Sequence, residues 1–179
     1  MKEFYTVDIC GRKEDLPVLR LESGPKIAFF NLHGNTELTE FCGRELAAKI
    51  GDRADVLLTA ESKGLQLTHC VARNLGHPFY AVARKSKKLY MQDGISVEVK
   101  SITTKEKQRM YLSAHDAELM RGKRVAVVDD VVSTGGSIEA LTELVKMAGG
   151  SLALKAAVLA EGDAKYRKDV IVLGDIPLL

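Results

Sequence analysis

The sequence predicts an α/β fold with a largely parallel central sheet flanked by helices. Three observations carry that expectation. Continuous apolar runs that suit buried strands (KIAFFNL, DVLLT, KRVAVVD) alternate with stretches of helical period. Those runs are apolar throughout rather than every second residue, as strands covered on both faces are. The 179 residues, 46% hydrophobic and 28% charged, suit one globular domain.

The elements follow in chain order. Residues 3–9 and 16–21 read as short strands split by a polar turn over 11–15. Residues 26–32 read as a buried strand, broken by His33-Gly34-Asn35. Asn35 is a plausible N-cap for a helix over 36–50, where Leu38, Phe41, Leu46 and Ile50 keep a near-helical spacing and Gly51 stops it. Residues 55–59 make a central strand, 65–75 a helix ended by Gly76, and 79–83 a further strand. Residues 95–99 and 109–112 alternate weakly, as in a hairpin, around a polar stretch, 100–108, that reads as a mobile loop. The clearest strand is 123–129. The clearest helix is 137–148, with Ile138, Leu141 and Ala148 on one face and Gly149-Gly150 as its end. Strands over 152–159 and 169–173 complete the chain.

Composition excludes several classes. Lys plus Arg number 26 against 24 for Asp plus Glu, a net charge of +2, so affinity for nucleic acid through bulk charge is not expected. No stretch approaches the ~18 apolar residues of a membrane span. The first ten residues carry Glu3 and Asp8 and lack a signal-peptide core. Cys10, Cys42 and Cys70 form no CxxC and suit a reducing cytoplasm, each read as a small buried hydrophobe. His33, His69, His77 and His115 lack metal-ligand spacing.

The chemistry concentrates in Val127-Val128-Asp129-Asp130-Val131-Val132-Ser133-Thr134-Gly135-Gly136-Ser137. An apolar strand ends in two carboxylates, a loop with two glycines and three hydroxyls follows, and a helix begins. Ligands of open α/β sheets bind at the carboxyl ends of strands. Loop amides at a helix N-terminus cradle a phosphate, and glycine lets the backbone approach it. Two carboxylates repel that phosphate but suit vicinal hydroxyls, directly or around a Mg²⁺. A phosphate at one end and a diol in the middle describe a ribose 5-phosphate. An Asp pair alone would read as a solvated strand end; the ordered combination does not. GxxxxGK[ST] and GxGxxG are absent.

VVDDVVSTGGS resembles the phosphoribosyl pyrophosphate (PRPP) signature of type I phosphoribosyltransferases. The resemblance implies that family's fold, a single domain over 1–179 with a small N-terminal hood within residues 1–50 and a PRPP-binding core over 51–179. It implies that Asp129 and Asp130 bind the ribose hydroxyls, with Mg²⁺, and that Ser133, Thr134, Gly135, Gly136 and Ser137 bind the 5-phosphate. Glu61-Ser62-Lys63-Gly64 is similar to the pyrophosphate loop of the adenine enzymes, usually Glu-Ala-Arg-Gly; Lys63 keeps the charge without the bidentate fork. Arg84-Lys85-Ser86-Lys87-Lys88-Leu89 is similar to the family's Arg-Lys-x-x-Lys-Leu stretch. By resemblance Lys63, Arg84 and Lys88 offset charge on departing pyrophosphate. Glu106 falls where adenine-type enzymes carry a glutamate, in a loop that closes over PRPP.

The resemblance is closest to the adenine (purine) group. It implies a cytoplasmic, homodimeric purine-salvage enzyme making AMP and pyrophosphate from adenine and PRPP. Ser133 stands where many hypoxanthine-guanine enzymes have an Asp, although some archaeal-type ones share the Ser. Hypoxanthine, guanine, xanthine and orotate therefore stay open, as does a PRPP-sensing regulator of the same fold. The adenine group's usual Arg-Asp-Ile-Thr-Pro hood core is not visible. Phe29 and Phe30 are candidates to stack on the base, against the commoner role of adjacent phenylalanines as core.

Overall fold

The computed structural model describes residues 3–21, 24, 26–99 and 108–179. Strands β1 (Phe4–Ile9) and β2 (Arg12–Arg20) form an antiparallel hairpin in which Phe4 faces Pro17 and Ile9 faces Arg12. The turn is Cys10-Gly11, both at positive φ. It is two residues long, not the five expected over 11–15. Its polar residues continue the ladder: Asp15 Oδ1 accepts from Thr6 Oγ1 (2.6 Å), and Asp8 Oδ1 accepts from Gly11 N (2.7 Å). Cys10 is exposed at this turn, whereas Cys42 and Cys70 are buried as expected.

Strand β3 (Lys26–Ala28) pairs antiparallel with β2 and completes a three-stranded hood. The strand expected over 26–32 thus stops early. Phe29 N still bonds Pro17 O (2.9 Å), but Phe30 and Leu32 then turn into the core. Helix α1 (Thr36–Ile50) follows with the expected cap, Asn35 Oδ1 accepting from Leu38 N (3.1 Å). Gly51 ends it at φ 57°.

Next come β4 (Val56–Ala60), α2 (Gly64–Leu75) and β5 (Ala81–Ala83). Then β6 (Ile95–Glu98) and β7 (Arg109–Leu112) pair antiparallel, as the hairpin pattern predicts. Helix α3 (Ala114–Met120) was not expected; Ser113 caps it, its Oγ accepting from Asp116 N (3.0 Å). Strand β8 (Arg124–Val132), helix α4 (Gly136–Met147), strand β9 (Ser151–Glu161), a 3₁₀ turn (Gly162–Tyr166) and β10 (Val170–Ile176) complete the chain.

The central sheet is parallel throughout, in the order β10-β9-β8-β4-β5. Alternate residues of its strands feed two cores, as a period of two requires. Leu57, Ala126, Val128, Ala156 and Val158 pack under α1 and α2 with Leu46, Ile50, Leu67 and Val71. Leu58, Val125, Val127 and Ala157 pack under α3 and α4 with Met120, Leu141 and Leu144. Val7, Ile9, Leu16, Ala28 and Phe30 of the hood join the first core. Cys10 N bonds Leu173 O (3.2 Å), and Ile27 bridges to Leu178, so the hood is tied to β10 and the C-terminal residues. Among the described residues no helix is long and apolar enough to cross a membrane.

Candidate functional site

The connections fix where a ligand can sit. From β4 the chain moves outward to β5; from β8 it moves the other way, to β9. Strands β4 and β8 are neighbours, so the loops at their carboxyl ends diverge and leave a crevice, the place where open α/β sheets bind ligands. The segments after β4, β5 and β8 are those the sequence singles out.

On β8 the acid pair lies inside the strand rather than at its end, because the ladder to β9 runs on through Val132–Ala160. Asp130 is buried, at 6% exposure. Its buried Oδ2 has no hydrogen-bond partner among the described residues; the Lys63 ammonium stands 3.8 Å away. Asp129 Oδ1 accepts from Asp130 N (2.9 Å). Burial first, and then the neighbouring Asp130 carboxylate, push the Asp129 carboxyl well above the usual carboxylate range. A half-buried Asp129 beside a buried Asp130 with an orphaned oxygen offers hard donors for hydroxyls or a divalent cation.

Beyond Val132 the backbone curls. Gly135, at φ 85°, caps α4 in a left-handed conformation that a side chain rarely adopts. A cavity of about 120 Å³ opens here, lined by Asp129 and residues 131–138. Thr134 and Ser137 are exposed and Ser133 half-buried at its rim. The first amides of α4 point to this loop, so it is fitted to an anion.

The β4 loop brings a second polar group. The Glu61–Ser62 peptide is cis. Glu61 Oε2 pairs with Arg84 Nη1 (3.0 Å), and Oε1 accepts from Lys85 N (2.8 Å). Burial works to raise the Glu61 carboxyl, but the Arg84 guanidinium and the Lys85 amide outweigh it and hold it below its ordinary value. Glu61 is therefore a brace between the β4 and β5 loops. Gly64 begins α2 where a Cβ would overlap Thr59 Oγ1 and stand 3.6 Å from Asp129 Oδ1. Only glycine lets that loop close over the acid pair. Lys63 is exposed and reaches two ways, toward Asp130 and over the Phe29 ring, 5.4 Å from its centroid.

The expected site residues thus converge, with corrections. Lys63, Asp129, Asp130 and the 133–137 loop share one crevice, and Phe29 forms its hood-side wall. Phe30, the other stacking candidate, is 3% exposed in the core and faces no ligand space. Arg84 is held by Glu61, whereas Lys88 Nζ bonds locally, to Ser86 Oγ (2.9 Å). Glu106 lies outside the described residues. Thr59, whose buried hydroxyl has no hydrogen-bond partner among the described residues, and Arg167, against Gly135, have no sequence signal, since neither falls in a loop motif. Among the described residues no three His, Cys, Asp or Glu side chains cluster to hold a metal alone. A cation here would need ligand oxygens as well as the acid pair. A further cavity, about 430 Å³, lies between α1 and α2, lined by Thr39, Leu65 and Tyr80 among others.

The phosphoribosyl transferase domain model matches residues 34–174. A xanthine phosphoribosyltransferase of Exiguobacterium is 34% identical over 127 residues, 70% of this chain and 64% of the relative. A hypoxanthine/guanine phosphoribosyltransferase of Methanococcus voltae is 30% identical over 131 residues, 73% and 66% of the two chains. The chain thus spans somewhat under two thirds of the length of these curated relatives. In fold it is similar to the adenine phosphoribosyltransferase of Thermoanaerobacter pseudethanolicus: TM-score 0.75, 21% identity, 90% of this chain and 95% of that one.

Proposed function

The chain belongs to the phosphoribosyl transferase domain family, and from that premise we propose that it transfers the 5-phosphoribosyl group of PRPP to a purine, adenine foremost, releasing pyrophosphate. The observation that carries the proposal is the crevice between β4 and β8: an acid pair, a glycine loop and an exposed cation in one place.

Each group has a part. The 133–137 loop holds the 5-phosphate through amides and hydroxyls. Asp129 and Asp130 accept from the ribose 2- and 3-hydroxyls, which fixes the sugar ring. The same carboxylates, with oxygens of PRPP, would hold a Mg²⁺, which when bound neutralises pyrophosphate charge. The base nitrogen forms its bond to the anomeric carbon as the bond to pyrophosphate oxygen breaks; that electron pair leaves with pyrophosphate, and the proton of the base N–H passes to pyrophosphate or solvent. Charge builds on the departing oxygens, where Lys63 is free to swing from Asp130. Arg84 and Lys88 extend the positive wall. Preorganised charge of this kind acts where the transition state differs most from the ground state. Phe29 offers a ring face to the base. No protein nucleophile is required. Strands β1–β3, within residues 1–50, serve as the hood, and residues 51–179 as the PRPP core.

The resemblance of the 61–64 and 84–89 stretches to the adenine group supports adenine. A second reading, a 6-oxopurine, is favoured by the names of the xanthine and hypoxanthine/guanine relatives. Pyrophosphate release from PRPP and Mg²⁺ with adenine, hypoxanthine, guanine, xanthine, uracil and orotate decides between them. Adenine-dependent release is the expected result. Release with a 6-oxopurine alone would reassign the base. Silence with every base, PRPP still binding, would make the chain a PRPP sensor.

A further inference from the structure

Behind the phosphate loop lies a cluster of four charges that the proposed reaction does not use. Glu139 sits in the first turn of α4, its amide bonded to Gly135 O (3.0 Å). Its carboxylate accepts from Arg167 Nη2 (2.6 Å) and Lys155 Nζ (2.9 Å). Asp169 closes the ring, accepting from Lys155 Nζ (3.0 Å), Arg167 Nη2 (2.7 Å) and Arg167 Nε (3.0 Å). Lys155 is only 8% exposed, and an ammonium so buried needs its carboxylate partners. The remaining Arg167 nitrogen, Nη1, packs against Gly135, where a Cβ would overlap it.

The placement poses an electrostatic problem. A loop that binds a phosphate at a helix N-terminus has a carboxylate one turn further along the same helix. An acid suits a helix N-terminus when no ligand is there, but it repels a phosphate dianion. Arg167 answers both demands. Its fork clasps Asp169 while Nη2 also bonds and offsets Glu139, and its Nη1 backs the left-handed Gly135.

Building on the function proposed above, we infer that Arg167 is a positioning residue for the 5-phosphate site, screening Glu139 and holding the Gly135 turn open to the phosphate. It touches no substrate; it acts through Glu139 and Gly135.

Ribose 5-phosphate titration calorimetry, with steady-state PRPP kinetics, tests this on R167Q, R167K, E139Q and the R167Q/E139Q double variant. R167Q is expected to weaken ribose 5-phosphate about tenfold and to raise KM for PRPP similarly, with kcat changed less than about threefold. The double variant is expected to recover to within about threefold of wild type, since the exposed carboxylate is gone. R167K, with charge but no fork, is expected to fall between. If R167Q does not fold, E139Q and R167K decide: E139Q is expected to bind at least as tightly as wild type. Wild-type affinity in R167Q, a double variant as weak as R167Q, or a weakened E139Q would overturn the inference alone. Failure of the wild type to bind ribose 5-phosphate would overturn the site assignment itself, and the inference with it.

Discussion

Replacing Asp129 by asparagine is expected to stabilise the ligand-free protein while abolishing turnover. The folded state pushes the Asp129 carboxyl up through burial and the adjacent Asp130, so the charged form is disfavoured. For such an acid the folded state binds more protons than the unfolded chain. Stability is therefore lost as pH rises from the unfolded carboxylate range toward the raised folded value. Each pK unit of that shift costs about 1.4 kcal/mol. A carboxyl held that far above its ordinary range destabilises the fold by on the order of 1–3 kcal/mol, and a domain of this size gains about 2–4 °C per kcal/mol. Asparagine keeps the Oδ1 that accepts from Asp130 N at 2.9 Å, so the brace survives and the charge goes. Thermal unfolding without PRPP or metal should show D129N melting about 4–10 °C higher than wild type near pH 8. The gap should narrow as pH falls below the raised folded value and close below the unfolded carboxylate range, under about pH 3.9, where the carboxyl is protonated in both states. An equal or lower Tm at high pH, or a gap independent of pH, would refute the reasoning.

Other substitutions separate the parts of the site. Lys63→Ala is expected to lower kcat by about 10²-fold yet weaken nucleoside monophosphate binding little, because the monophosphate carries no pyrophosphate; equal losses, measured by kinetics and titration, would remove the leaving-group role. Phe29→Ala is expected to raise KM for the base about tenfold with ribose 5-phosphate affinity unchanged, whereas Phe30→Ala, in the core, should cost roughly 3–5 kcal/mol in denaturant unfolding. Glu61→Gln loses a charged partner for Arg84 and is expected to lower kcat/KM for PRPP about tenfold, with a stability loss of about 1–2 kcal/mol. A variant with unchanged kinetics would show that the brace does not serve the site.

The sheet, its parallel sense and the helices α1, α2 and α4 were legible because continuous apolar strands and capped helices are local patterns. Asn35, Gly51 and Gly76 marked helix boundaries within a residue, since capping is a matter of adjacent backbone groups. The hood was read less well. The polar residues of β2 imitate a turn until they are seen paired with β1, and Phe30 could not be told from Phe29 until the chain's turn into the core was visible. Helix α3 is short and its pattern weak. Of the site, the acid pair, the glycine loop and Lys63 announce themselves because their chemistry is contiguous. Thr59 under Gly64 and Arg167 against Gly135 do not, for each meets its loop only through tertiary packing.

The most direct test of the PRPP site is base-dependent pyrophosphate release by the wild type beside the D129N/D130N double variant, both checked for native fold by circular dichroism. Release by the wild type and none above background by the folded double variant is the expected outcome. Release at the wild-type rate by the folded double variant would contradict the assignment of the ribose to the acid pair of β8.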